Sequence, residues 1–316
     1  MGSMKLAIAA LALGAAPLAA ETLIVGNKSE NTVSFIDLAT GRERARVPAG
    51  IMPHEVAVSP DGKQAAVVAY GGTSIDVFDV ASARKLRTIE LAPNRRPHGL
   101  LWLRDGRLLA TAEGSESVAI VSPSGAVSSI ATDQTGSHMI VVTPDGARAF
   151  VANIGSGTVS VLDLRAGRKL RDITTGGKPE GIALTRNGRE LWVGDLDAPR
   201  VQVFAAATGA KLGEVPVDPV AIRVAASPDG RTIVTSNVAA GSLTLIDART
   251  RRVPRTIPVS GLREAAQVTI IFSLDGKRLY AAETGRDVVA EIELASGKVL
   301  RRIAVGKQGD GLAIAP

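Results

Sequence analysis

"MPHEVAVSPDGK", Met52 to Lys63, holds one of the three histidines in a chain of 316 residues. The other two stand in "RPHGLLWLRDGR" and "GSHMIVVTPDGA", and His54, His98 and His138 each precede an Asp-Gly pair by seven residues. Following the same phrase along the chain gives Asp61, Asp105, Asp145, Asn187, Asp229 and Asp275, at intervals of 44, 40, 42, 42 and 46. A period in this range marks a repeat architecture and takes precedence over local propensity. Within one unit, "HEVAVSPDG" reads as a short alternating strand closed by an Asp-Gly turn and "KQAAVVAY" as a second strand. "SIDVFDV" reads as a third and "KLRTIEL" as a fourth, after a small polar turn.

Four strands per unit describe a propeller blade, whose small sheet buries its faces against its neighbours. The predicted fold is all-β: a single seven-bladed propeller of four-stranded antiparallel blades occupying residues 21–316. The two ends agree with closure. The C-terminal "DGLAIAP" offers a first strand with nothing after it, and the N-terminal "TLIVGN" a second strand with no first strand before it. Together they complete one blade.

The phrases "SPDGKQAAVVAY", "TPDGARAFVANIGSGTVSVLDL" and "SLDGKRLYAAETG" resemble the YVTN repeats of bacterial and archaeal seven-bladed propellers, a group related to lactonase-like propellers. The resemblance runs from Glu21 to Pro316. It implies the fold more closely than the function, because that group holds enzymes, binding proteins and surface-layer proteins. The chain departs from a uniform ring where the fifth and sixth repeats read "AIRVAASPDG" and "AQVTIIFSLDG", with no histidine.

In a propeller blade the first strand is innermost, so the residue opening it lies at one mouth of the central channel, as does the end of the antiparallel second strand. The opening positions are His54, His98, His138, Glu180, Ile222 beside Arg223, Gln267 or Val268, and Asp310. The second strands end at Asn27, Tyr70, Glu113, Asn153, Asp195, Asn237 and Glu283. One face of the disc is therefore predicted to be polar, with Tyr70, Glu113, Asn153, Asp195, Asn237, Glu283 and Asp310 as a ligand mouth. The opposite face carries the Asp-Gly turns, read as structural. Three imidazoles from consecutive blades can converge on one ion, with Glu180 as a further ligand or a general base and Arg223 steadying an anionic intermediate. Nitrogen and oxygen ligands suit a divalent transition metal: zinc, copper, iron, nickel or manganese. Two plainer readings stay open, a metal-free polar ligand mouth and histidines that only cap loops. Arg95, Arg96, Lys178, Arg263 and Lys307 crowd the same loops and favour a small anionic ligand.

Composition bounds the rest. The absence of cysteine excludes disulfides, thiolate metal sites and cysteine nucleophiles. Met1 to Ser3 read as a cloning remnant before a start at Met4, and Lys5 followed by an alanine and leucine run ending near Ala20 reads as a secretory signal. The expected location is thus the periplasm or the exterior, and no later segment is long and apolar enough to span a membrane. A net charge of +6 permits attraction to polyanions, but the cations are scattered, so nucleic acid is not the expected partner. Gly155 and Gly157 sit between strands and are no nucleotide loop, and Trp102 and Trp192 read as packing. Two functional classes follow: a metal-assisted hydrolase or lyase, to which the family resemblance adds lactone ring opening, and a non-catalytic protein binding a ligand, a cofactor or a periplasmic partner. A monomer is expected.

Overall fold

The computed structural model describes residues 21–316, which form seven four-stranded antiparallel sheets; the leader reading of residues 1–20 lies outside the described residues. Blade one joins the last strand, Gly309–Ala315, to Thr22–Asn27, Thr32–Asp37 and Arg42–Pro48, so both chain ends lie in one sheet and close the ring. Blade two runs Pro53–Val58, Gln64–Ala69, Ser74–Asp79 and Lys85–Glu90 outward from the axis. Blades three to seven repeat this order, beginning with innermost strands Pro97–Trp102, Ser137–Val142, Pro179–Leu184, Ala221–Ala226 and Gln267–Phe272.

The sequence explains the burial gradient. Second strands such as "QAAVVA" are covered on both sides by neighbouring blades and read as continuous apolar runs, whereas fourth strands such as "RERARVP" form the outer rim and carry charge. Charged residues on those outer edges also oppose edge-to-edge pairing with other chains. Each interface between blades has its own apolar core. Between blades one and two, Ile24, Val33 and Phe35 pack on Val56, Val67 and Phe78, with the two phenyl rings edge to face at 5.9 Å.

The Asp-Gly turns are built alike. In the first, Gly62 has φ of 74°, the Ser59 hydroxyl donates to Asp61 Oδ1, and the Lys63 amide donates to the same oxygen at 3.1 Å. These donors hold Asp61 below its ordinary carboxyl pKa, the Ser59 bond first. At the other turn, Asp37, Asp79, Asp163 and Asp247 accept backbone amides from Thr40, Ser82, Ala166 and Thr250. Between blades, arginines of the outer strands reach to carbonyls in the third-to-fourth-strand turn of the next blade. Arg44 donates to Val80 and Ala81, Arg171 to Ala207, Arg255 to Ala295, and Arg301 to Leu38 across the closure.

Candidate functional site at the channel mouth

Each innermost strand is irregular where it opens. The register against the second strand slips between Pro53 and Val56, and at the matching places in the other histidine blades, Pro97 to Leu100 and Ser137 to Ile140. A bulge breaks the strict alternation of side chains along a strand. His54 and Glu55, adjacent in sequence, therefore join one buried group with His98, in which the potential ligand atoms lie within 4.8 Å of one another. Inner strands approach closely here because small residues follow some of the mouth positions. A methyl on Gly99 would meet the His138 carbonyl oxygen at 2.5 Å, and one on Gly311 would overlap the His54 carbonyl.

The three imidazoles form a row, tilted between the first pair and stacked between the second. The ring centroids of His54 and His98 are 4.1 Å apart, and His98 and His138 stack at 3.5 Å with 30° between their planes. The members of the row differ in what engages their nitrogens. His138 is held on both sides by carboxylates, Nδ1 on Glu113 and Nε2 on Glu180 Oε1 at 3.2 Å. The Nδ1 atoms of His54 and His98 are buried and have no hydrogen-bond partner. Beside them, His54 Nε2 lies 3.5 Å from Asp310, which accepts from Lys28 at 2.7 Å and from Thr269 at 2.9 Å. The set that could hold an ion is thus His54, Glu55 and His98, while His138, read from the sequence as the third histidine ligand, occupies the ionic side of the row.

Arg223 crosses the mouth. Its two terminal nitrogens donate to Glu180 Oε1 and Glu55 Oε1, each at 2.8 Å, tying blade six to blades five and two. The guanidinium is buried, as are both carboxylates. Burial opposes the charge on Arg223, but Glu55 and Glu180 outweigh it and raise its pKa. Burial likewise opposes ionisation of Glu180, and the His138 hydrogen bond together with Arg223 still leaves its pKa lowered. Glu180 is thus clamped between His138 and Arg223. Glu113 accepts from the Tyr70 hydroxyl at 2.7 Å, and Arg96 donates to that same hydroxyl.

The remaining ligand-mouth residues are buried but serve their own blades. Asn153 donates to Thr158 and Ser160, the Asn237 side-chain oxygen accepts from Ser242 and Thr244, Asp195 accepts from Arg200, and Glu283 accepts from Arg302. Tyr70, Glu113 and Asp310 are the ones that join the histidine row. Of the loop cations, Arg95, Arg96, Lys178, Arg263 and Lys307 are exposed around it. Glu55 and Lys28 were absent from the sequence-based site. Glu55 follows His54 and strict alternation turns it away from the channel; the bulge is what brings it in. Lys28, directly after the strand-ending Asn27, could have been found from its position.

These charges predict a pH optimum of stability. Burial, then the neighbouring His138 and His54, push the His98 pKa well below its ordinary 6.5. A depressed histidine contributes stability above the unfolded value that is lost as pH falls. Burial also pulls His138 down, but its bonds to Glu113 and Glu180 outweigh that and raise it above 6.5. Its contribution is complete below 6.5 and is lost as pH rises through the folded value. Stability should peak near neutrality. In metal-free protein, His98→Gln should flatten the acid limb below pH 6.5, and His138→Gln the alkaline limb, in urea melts at stepped pH. Parallel curves for wild type and both variants would contradict these assignments.

No protein-family model matches the chain. Antigen Lp49 of Leptospira interrogans serogroup Icterohaemorrhagiae serovar copenhageni (strain Fiocruz L1-130) is 23% identical over 337 aligned residues, covering 94% of this chain and 68% of its own. Among solved structures, a candidate 6-phosphogluconolactonase from Bacteroides fragilis NCTC 9343 superposes with a TM-score of 0.76 at 16% identity, covering 96% of this chain and all of its own. The dihydro-heme d1 dehydrogenase NirN, in complex with DHE, gives a TM-score of 0.68 at 15% identity, with 92% of this chain and 74% of its own covered. At such identities these likenesses establish the propeller, with a lactonase-like structural relative among them. The YVTN repeat is not part of these names.

Proposed function

We propose that the protein binds a divalent transition metal at His54, His98 and Glu55, and that the occupied mouth takes a small anionic ligand. The observation that carries this reading is that the buried Nδ1 atoms of His54 and His98 make no hydrogen bond, with Glu55 Oε1 standing 3.7 Å from the first. Such atoms are costly to leave unpaired, and neutral imidazole is the form that ligates metal. Two histidines and one carboxylate suit iron, zinc, manganese and their neighbours, and leave coordination positions open. Arg223 fixes one oxygen of Glu55 and so orients the other. Arg263 and Lys307, exposed and without an ion-pair partner among the described residues, support attraction of an anion to the rim.

A bound cation would supply polarisation of a coordinated oxygen. Ring opening of a small lactone is therefore the first reaction class to test, supported by the fold shared with the Bacteroides fragilis protein. The second reading, a carrier without chemistry, is favoured by one observation: Glu55, Glu113, Glu180 and Asp310 are each engaged by a cation or histidine, leaving no free carboxylate base beside the ligand set among the described residues. The leader-like Met4 to Ala20 supports a site of action in the periplasm or outside the cell.

The test is metal content. Protein recovered from the periplasmic or secreted fraction without chelator is expected to hold stoichiometric metal, and His98→Ala to lose it. His138→Ala should keep it, which separates the ligand set from the ionic clamp. Absence of metal from the parent, with no thermal shift on adding zinc, manganese or ferrous iron, would remove the reading. Turnover of a lactone panel by the metal-loaded parent then separates enzyme from carrier.

A further inference from the structure

The far end of the channel is chemically opposite to the histidine mouth. A cavity of about 670 Å³ opens among the Asp-Gly turns, lined by the inner strands of blades three to six. Leu101, Trp102, Val142, Leu184 and Ala226 form its wall. The innermost strands end there in half-exposed apolar residues, although alternation alone would allow polar ones at a water-facing rim. That volume lies within the range of about 300 to 1,000 Å³ usual for small-molecule sites.

One charged group on the rim has no partner. Asp105 is engaged by Arg107 and Asp145 by Thr143, whereas Arg104 is exposed and makes no hydrogen bond or ion pair among the described residues. An apolar wall beside an uncommitted guanidinium matches an amphiphile with an anionic head. We propose that this end of the channel is a second binding site, independent of the histidine mouth, for a small apolar carboxylate: the acyl or aromatic body on Trp102 and Val142, the carboxylate on Arg104.

The two tryptophans make the test direct. Trp102 is half-exposed in the wall, whereas Trp192 is fully buried between blades five and six. Octanoate is the probe and 1-octanol its neutral counterpart. Octanoate should shift the tryptophan emission to the blue, and Trp102→Phe, which keeps Trp192, should abolish that change. Ala226→Phe, which fills the cavity, should weaken octanoate at least tenfold by calorimetry, with circular dichroism checking the fold. Arg104→Gln should weaken octanoate roughly three- to tenfold and leave octanol unchanged. Octanoate binding that survives Ala226→Phe in a folded protein, or an emission change that survives Trp102→Phe, would overturn the site. Equal affinity for octanoate and octanol in the parent would overturn the carboxylate.

Discussion

Replacing Arg223 with methionine is expected to lower the midpoint of thermal unfolding by on the order of 10 °C. The substitution leaves Glu55 and Glu180 buried without the group that joins them, and removing one member of a buried ion pair costs about 3–5 kcal/mol. Each kcal/mol shifts Tm by about 2–4 °C in a domain approaching this size. The loss should come chiefly from stranded carboxylates rather than from missing attraction. Arg223→Met combined with Glu55→Gln and Glu180→Gln should therefore recover a large part of it, since the three groups form one network and their effects do not add. Scanning calorimetry of the single and triple variants decides the matter. A single variant as stable as the parent would mean that the mouth tolerates unpaired charge, and the account of Arg223 as its clamp would fail.

Gly311→Ala should also be destabilising, through a different cause. A methyl there falls on the His54 carbonyl, where the last strand of the chain meets blade two. Backbone cannot yield as a flexible side chain does, and overpacking of this kind costs about 1–3 kcal/mol or more. The closure should loosen, His54 should move away from His98, and any metal affinity should fall together with Tm. Gly72→Ala is the control, because a methyl there meets only ordinary contacts beyond 3.7 Å. Equal Tm values for the two variants would show that the close approach at Gly311 relaxes at little cost.

The propeller was legible because its cause is periodic. Apolar alternation and Asp-Gly turns recur with each blade, and the strand boundaries of "TLIVGN" and "DGLAIAP" follow from which partner each end lacks. The row of histidines was legible for the same reason, since equal register places His54, His98 and His138 on successive inner strands. Their division of labour was not. It depends on a bulge that turns Glu55 inward beside His54, and on Arg223 reaching Glu180 in the neighbouring blade and Glu55 across the ring, 43 and 168 positions away in sequence. Neither a one-residue register slip nor a contact across the ring leaves a mark on a local pattern. The polar ends of the second strands show the converse: Asn153 and Asn237 repeat as regularly as the histidines, yet regularity there reflects a tie to the third strand of the same blade.

The arginines that fasten one blade to the next have a consequence for the molecule's encounters. Their planar forks grip carbonyl oxygens, which bear no full charge, so the positive charge of Arg44, Arg171 and Arg255 is anchored without being cancelled. Carried by blades one, four and six, it is spread along the circumference as a sparse girdle rather than gathered at one place. Polyanions meeting such a girdle should associate loosely and in any orientation, and let go as ionic strength rises.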